Sequence, residues 1–282
     1  MGEVLGIDLG GTTIKAAVFS GNHLLDKIVI PSKAKLGREA IFKQLEQAIT
    51  LLSAHHPHFE RIGVISPGDI DSEAGICLKA INLKGWSGAP IKATLEAFAH
   101  VPVYVENDAV GSLLAEASSH PDVRRLVNLT FGTGLGGAVW SDGGVLASAK
   151  ELGHLTLVKN GLLCGCGKRG CAELYLSVTA LLNQARAIGL NVKNGRELVT
   201  LANEGHVLAS QVMDAWSATL HAYLLLLEEQ VHPDLIVLGG GLMSDPKGIG
   251  PWVKPGKTPI AYASFSNFSG AYGASLLPLT KK

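Results

Sequence analysis

Within eighteen residues the chain places His154, Cys164, Cys166 and Cys171, separated by gaps of 9, 1 and 4 residues. Three thiols and an imidazole at this spacing form a nitrogen-and-sulfur donor set that a single tetrahedral ion can join, and zinc prefers such ligands. Four protein ligands close the metal's shell, which makes the site structural rather than catalytic. The cluster therefore constrains the fold as a staple does, holding something other than itself in place. Two carboxylates, Glu151 and Glu173, bracket it and are suited to hydrogen-bonding a polyhydroxylated ligand.

The bulk properties narrow the setting. At 282 residues, with 47% hydrophobic and 17% charged residues, the chain supports a substantial core and is long enough for two domains sharing a cleft or for one large domain. Formal net charge is zero and no Lys/Arg stripe follows any helix-like segment, so there is no basic field to gather nucleic acid. The first residues run directly into a strand-like stretch, 4–9, with no signal-peptide pattern. The most apolar segment, 220–227, is too short for a membrane span and ends in Glu228-Glu229. Four cysteines, three of them at metal spacing, read as cytosolic thiols rather than a disulfide framework, so a cytoplasmic protein is expected.

Along the chain, residues 4–9, 14–19 and 24–30 read as strands joined by glycine turns. Apolar residues at 41, 42, 45, 48, 49 and 52 make 38–53 a helix. Short strands follow at 62–65 and 101–105, and Asn107 or Asp108 caps a helix reaching about 118. A second set of strands comprises 125–131, 138–140 and 144–148, and helices dominate 178–230. A buried strand at 234–238, a Pro/Gly/Lys-rich loop at 244–259 and a last helix at 270–277 complete the chain. Each half opens on strands around a glycine-rich hairpin. Two similar lobes facing each other would bring both hairpins to one cleft.

Phosphate oxygens need several donors at short range, which bare glycine backbone supplies. Asp8, Gly10, Gly11, Thr12 and Thr13, with Lys15 beyond, offer such a turn plus hydroxyls and a cation. Asp8 is also suited to holding a hydrated magnesium ion. Gly132, Thr133, Gly134 and Gly136 offer a second cradle, and Gly239, Gly240 and Gly241 would admit a flat base against bare backbone. Each loop by itself is equally an ordinary tight turn; together they are hard to attribute to chance. If a nucleotide occupies them, phosphoryl transfer to a hydroxyl needs a carboxylate to orient the acceptor and take its proton. Asp108 is the candidate base, with Asn107 as a hydrogen-bonding neighbour; the bland alternative is that both merely cap the helix.

These pieces, in this order, resemble the ROK family (repressors, open reading frames and sugar kinases) of the actin-like ATPase superfamily. The resemblance runs from Asp8 to about Met243 and again near 269–275. It is carried by Asp8-Leu-Gly-Gly-Thr12, Ser66-Pro67-Gly68, Glu106-Asn-Asp108-Ala109 and the 132–137 loop. Its most diagnostic part is Glu151-x-Gly-His154 with the three cysteines and Glu173. It implies an α/β fold of two ribonuclease H-like lobes around a central cleft, with a zinc-stapled loop in the second lobe. The lobes would comprise 1–118 with about 268–282, and 119–267. It implies transfer of the γ-phosphoryl group of ATP, with Mg2+, to the 6-hydroxyl of a sugar. Asp108 would be the general base, and Asn107, Glu151, His154 and Glu173 would bind sugar hydroxyls, with Asn82 and Gly68 as further contacts. His154 would also ligate zinc. A homodimer is implied, for which the apolar helices over 207–227 offer a surface unless they pack into their own lobe.

Departures from the family pattern are Lys150 where glycine is usual, Val178 after Ser177, and the Pro-rich 244–259 stretch in place of a long helix. The last raises weakened nucleotide binding as an expectation. An ATP-dependent kinase for glucose, N-acetylmannosamine or a related hexose is the leading reading. A sugar-binding protein without phosphoryl transfer is the alternative. Kinases for β-glucosides or fructose rank lower, and a transcriptional repressor is disfavoured because no helix-turn-helix precedes the first strand.

Overall fold

The computed structural model describes residues 2–80, 83–146, 151–264 and 268–278. Asn82 and Lys150 lie outside the described residues. The chain divides into two compact units, Met1–Ser119 with Phe265–Lys282, and His120–Ser264.

The first unit opens with β1 (Glu3–Leu9), β2 (Thr13–Ser20) and β3 (His23–Pro31), an antiparallel meander. Then come α1 (Arg38–Ser53) and β4 (Phe59–Ser66), which pairs parallel with β1. A small sheet of β5 (Asp69–Asp71), β6 (Ile76–Lys79) and β7 (Ala89–Pro90), then α2 (Ile91–Ala99), interrupts the pattern. None of these short elements was anticipated from the sequence. β8 (Val103–Asn107) pairs parallel with β4, and α3 (Asp108–Ser119) follows at once. The strand thus runs two residues beyond the expected 101–105. Central β1 is buried over most of its length, which is why its sequence is nearly all apolar, and α1 buries Ile41, Leu45, Ala48, Ile49 and Leu52 against the sheet.

The second unit repeats the scheme. β9 (Arg125–Phe131), β10 (Leu135–Ser141) and β11 (Gly144–Val145) are antiparallel. The cysteine segment leads into α4 (Glu173–Leu176), α5 (Val178–Ala187), α6 (Gly195–Asn203) and α7 (Val207–Val231). β12 (Leu235–Gly239) pairs parallel with β9. α8 (Pro246–Ile249) and β13 (Ile260–Tyr262) follow, the latter parallel to β12. The sheet orders β3-β2-β1-β4-β8 and β11-β10-β9-β12-β13 therefore carry the same sequence of antiparallel and parallel pairings. The weak internal echo in the sequence is this repeated architecture, and the chain has the expected mixed α/β fold, with one such sheet in each unit.

Two expectations are corrected here. The strand read as 138–140 begins at Leu135, because ladder bonds to β9 hold Gly136 and Gly137 extended despite their poor strand propensity. The 244–259 loop contains α8 and a 3-10 turn at Gly250–Trp252, both started by proline at an early helical position. The chain then returns to the first unit as α9 (Ser269–Ser275), which lies so close to β4 that a Cβ on Gly63 would overlap the Ala274 carbonyl. Among the described residues no helix is long and apolar enough to cross a membrane.

Candidate functional site

In the second unit, the donor atoms of His154, Cys164, Cys166 and Cys171 all lie within 4.8 Å of one another. His154 Nδ1 stands 3.6 Å from Cys164 Sγ, and Cys166 Sγ stands 3.6 Å from Cys171 Sγ. Tetrahedral zinc at ordinary Zn–S and Zn–N bond lengths separates its ligands by about 3.6–3.8 Å, which these two pairs match. The chemistry fits as well. Burial, together with the adjacent Cys166 and Cys164, pushes the Cys171 thiol up to about 12, whereas Cys166 is held below its ordinary value, against the raising effect of burial, by hydrogen bonds from the Lys168 backbone, Cys164 and Cys171. A cation at their centre would stabilise thiolates and so offset the rise at Cys171.

Backbone bonds shape the loop. Cys164 N–H donates to Lys168 O at 2.8 Å, and Gly167 N–H to Cys164 O at 2.9 Å, closing the turn between the first two thiols. Gly170 has φ 74° and its α-carbon faces the Val158 carbonyl so closely that any side chain would collide. With Nδ1 on the metal side, His154 presents Nε2 3.7 Å from Glu151 Oε2.

Two buried aromatic residues that the sequence reading missed hold this segment. Tyr223 Oη, on α7, donates to Leu152 O at 2.8 Å, and Trp216 Nε1 donates to Leu176 O at 3.1 Å. Burial pushes the Tyr223 phenol well above its usual pKa, so it stays a donor. Glu173, on the far side of the cysteines, turns to the glycine-rich loop, where its Oε2 accepts from Leu135 N–H at 3.0 Å. The loop is also fastened by Val178 N–H to Gly132 O at 2.9 Å and Thr179 Oγ1 to Thr133 O at 2.7 Å. Val178, noted as a departure, is thus the residue whose amide anchors Gly132.

In the first unit, Asp8 is the penultimate residue of β1, directly opposite Lys15 on β2. Burial raises its pKa to about 6, against the lowering effect of Lys15, and the charge of Asp108 adds to the rise. Asp108 opens α3. Its side chain reaches solvent, yet the protein crowds its carboxylate enough to raise its pKa, partly offset by the Ala109 N–H bond at 2.9 Å. Asn107 Oδ1 also accepts from Ala109 N–H, at 2.8 Å, and Asn107 Nδ2 donates to Gly68 O at 2.7 Å. Both residues therefore cap the helix, and Asn107 and Gly68 are brought together. Beneath them buried Glu106 accepts from Asn107 N–H at 2.9 Å and from Ser72 Oγ at 2.8 Å, a brace with no sequence signature.

The three glycine turns share one property. A Cβ on Gly11, Gly132 or Gly241 would meet no heavy atom within 4 Å, and none of the three has positive φ. Neither packing nor backbone geometry demands glycine there, so the bare backbone is left open outward. Their neighbours differ: Gly10 closes its turn through a 2.9 Å bond to Thr13 O, and Gly240, at φ 90°, lies against the Phe131 backbone. Beside Gly241 opens a cavity of about 220 Å³, lined by Arg196, Thr200, Asn203, Leu242, Ser244 and Asp245 among others. It is smaller than the roughly 300–1,000 Å³ of drug-sized ligand sites and suits one flat ring system. The Pro-rich stretch forms part of its wall, knitted to α6 by Asn203, which donates to Gly248 O at 2.9 Å and accepts from Trp252 Nε1 at 2.8 Å.

Comparison with known proteins places these features in a lineage. The model of the ROK family matches residues 4–281. A glucokinase from Halalkalibacterium halodurans is 30% identical over 264 residues, covering 84% of this chain and 80% of that protein. An N-acetylmannosamine kinase from Shigella flexneri is 29% identical over 245 residues, covering 85% of this chain and 83% of its own. The structure of a ROK family glucokinase from Streptomyces griseus in complex with glucose and AMPPNP superposes with a TM-score of 0.80 at 26% identity, covering 97% of this chain and 98% of that one.

Proposed function

The chain belongs to the ROK family, and we propose that this ATP-dependent sugar kinase transfers the γ-phosphoryl group to the 6-hydroxyl of a glucose-type hexose or its N-acetylated relative. The observation that carries the proposal is the pair of carboxylates in the first unit. Burial lifts both Asp8 and Asp108 above the ordinary aspartate range, and the charge of Asp108 adds to the rise at Asp8. A base whose pKa is lifted towards neutrality is better matched to accept a hydroxyl proton.

Asp108 takes the proton of the acceptor hydroxyl as the phosphoryl group departs from ATP. Asn107 keeps one amide N–H on Gly68 and offers its second to a sugar hydroxyl. Glu151, His154 Nε2 and Glu173 read ring hydroxyls, while the open turns at Gly11 and Gly132 donate backbone N–H groups to phosphate oxygens. The cavity beside Gly241 takes the base. Asp8 is the carboxylate for Mg2+, which supplies charge neutralisation to the phosphates. Zinc on His154, Cys164, Cys166 and Cys171 orients the histidine ring and takes no part in the transfer. By the same family resemblance the protein is read as a cytoplasmic homodimer.

The test is ADP release with a panel of hexoses and N-acetylhexosamines, with ATP and magnesium. Turnover with glucose or N-acetylmannosamine supports the reading. A sugar-induced thermal shift without ADP from any sugar leaves a sugar-binding protein and overturns the transfer.

A further inference from the structure

The two turns bearing Glu151, His154 and Glu173 are tied to one helix. Leu152, whose carbonyl accepts from Tyr223, lies between Glu151 and His154 in the 3-10 turn Leu152–His154. Leu176, whose carbonyl accepts from Trp216, closes the short helix that Glu173 opens. Tyr223 is 0% and Trp216 1% exposed. Seven residues apart, they project from the same face of α7, two turns from each other. A ring of any kind would fill this core. A buried phenol and a buried indole additionally need acceptors, and both find them on the segment that carries the metal ligands.

Zinc alone does not do this work. An ion held by His154 and the three cysteines would fix the internal shape of the loop, but these four ligands give it no tie to α7. The hydrogen bonds from α7 fix that loop against the core, at one point on each side of the cluster.

We propose that Tyr223 and Trp216 are positioning residues, through which α7 sets the placement of the Glu151–His154 turn and the Glu173 turn for sugar binding and keeps the zinc loop closed. The part concerning sugar rests on the kinase reading; the part concerning the loop rests on the hydrogen bonds. Without the Tyr223 hydroxyl the Leu152 carbonyl keeps only the Leu155 N–H, a bond within its own turn at 3.0 Å, and the tie to α7 is lost; without the Trp216 indole the Leu176 carbonyl loses its donor, so in both cases the turn is free to shift or admit water. Misplacement of about 1 Å in a substrate-orienting group costs about 10²-fold, so partial shifts are expected to cost less.

The experiment compares full-length, zinc-loaded wild type with Tyr223→Phe and Trp216→Phe, the two variants being independent of each other should one fold poorly. Leu220→Ala serves as a control on the same helix that removes buried apolar volume and no hydrogen bond. Zinc release to a chromophoric chelator is followed, along with KM for sugar, KM for ATP and kcat, all below the melting transition. Each Phe variant is expected to release zinc several-fold faster. Each is also expected to raise sugar KM about 5–20-fold while ATP KM stays within about twofold, a fraction of the full misplacement cost. Leu220→Ala lowers Tm without changing either readout. Phe variants that behave like Leu220→Ala, with lower Tm but wild-type zinc release and an unchanged ratio of the two KM values, overturn the proposal. If the wild type phosphorylates no sugar, the kinase reading falls by itself and zinc release decides the proposal: wild-type release rates in both Phe variants overturn it.

Discussion

The Glu173 carboxylate accepts a hydrogen bond from the backbone N–H of Leu135 at 3.0 Å, so the turn behind the cysteine cluster grips the glycine-rich loop of the same unit. A residue proposed to read a sugar hydroxyl thereby also holds a loop proposed to read phosphate. The two substitutions that remove its charge should separate these roles. Glu173→Gln retains a carbonyl acceptor for Leu135 and is expected to raise sugar KM by about 10-fold with little change in ATP KM. Glu173→Ala loses the acceptor and should raise both, since an unpaired N–H costs about 1–3 kcal/mol. Steady-state kinetics with each substrate varied in turn makes the comparison, and equal ATP KM in the two variants would detach Glu173 from the loop's function.

Asp108→Asn keeps a side-chain oxygen near the Ala109 N–H and so preserves the start of α3. It removes the proton acceptor. The expected result is a kcat lower by about 10²–10⁴ with sugar affinity, measured by calorimetry, within a few-fold of wild type. Comparable kcat in the variant would take Asp108 out of the base role.

Asp8 makes a prediction about pH. Its folded pKa of about 6 exceeds its ordinary value of 3.8 because burial, and then Asp108, disfavour the charged form. Between those values the folded chain holds a proton that the unfolded chain has lost, so stability falls as pH rises from about 4 to 6 and the loss persists above. Asp8→Asn removes this penalty. It should raise the stability at pH 7 by about 1–3 kcal/mol and flatten the profile between pH 4 and 6, while abolishing turnover. Magnesium should raise Tm of the wild type and not of the variant. Thermal melts across pH, with and without the ion, check both statements.

Where a constellation is built from neighbouring residues, the sequence displayed it. The four candidate metal donors span a short segment, and the candidate carboxylates stand beside recognisable turns. Tyr223 was invisible because its acceptor lies 71 residues away and is a backbone carbonyl, which every residue possesses; Trp216 reaches 40 residues for the same kind of partner. β13 escaped for a related reason. Its three residues follow Pro259 at the sheet edge, show no alternation, and become a strand through pairing with β12. Long-range hydrogen bonds to main chain leave no pattern in composition or spacing, so both the buttress of the site and the rim of its sheet had to be seen.

Cys166 offers the sharpest test of the cluster as a unit, because it is the exposed thiol among the three while Cys164 and Cys171 are buried. Cys166→Ser removes one of four ligands without opening a core cavity, so folding of the unit is expected to survive. Metal content, measured by mass spectrometry of the metal or by chelator titration, should fall well below one zinc per chain. Sugar KM should rise by about 10-fold or more as His154 loses its fixed orientation, an effect in the range seen when a metal site's supporting interactions are removed. ATP KM should change little, because the cavity beside Gly241 and the turn at Gly11 are built without any of the four ligands. Stripping zinc from the wild type with a chelator should reproduce the same split, and returning zinc should restore the sugar KM of the wild type but not that of the variant. Full zinc content with unchanged sugar KM in Cys166→Ser would show that the fourth position of the site is supplied by something other than this thiol.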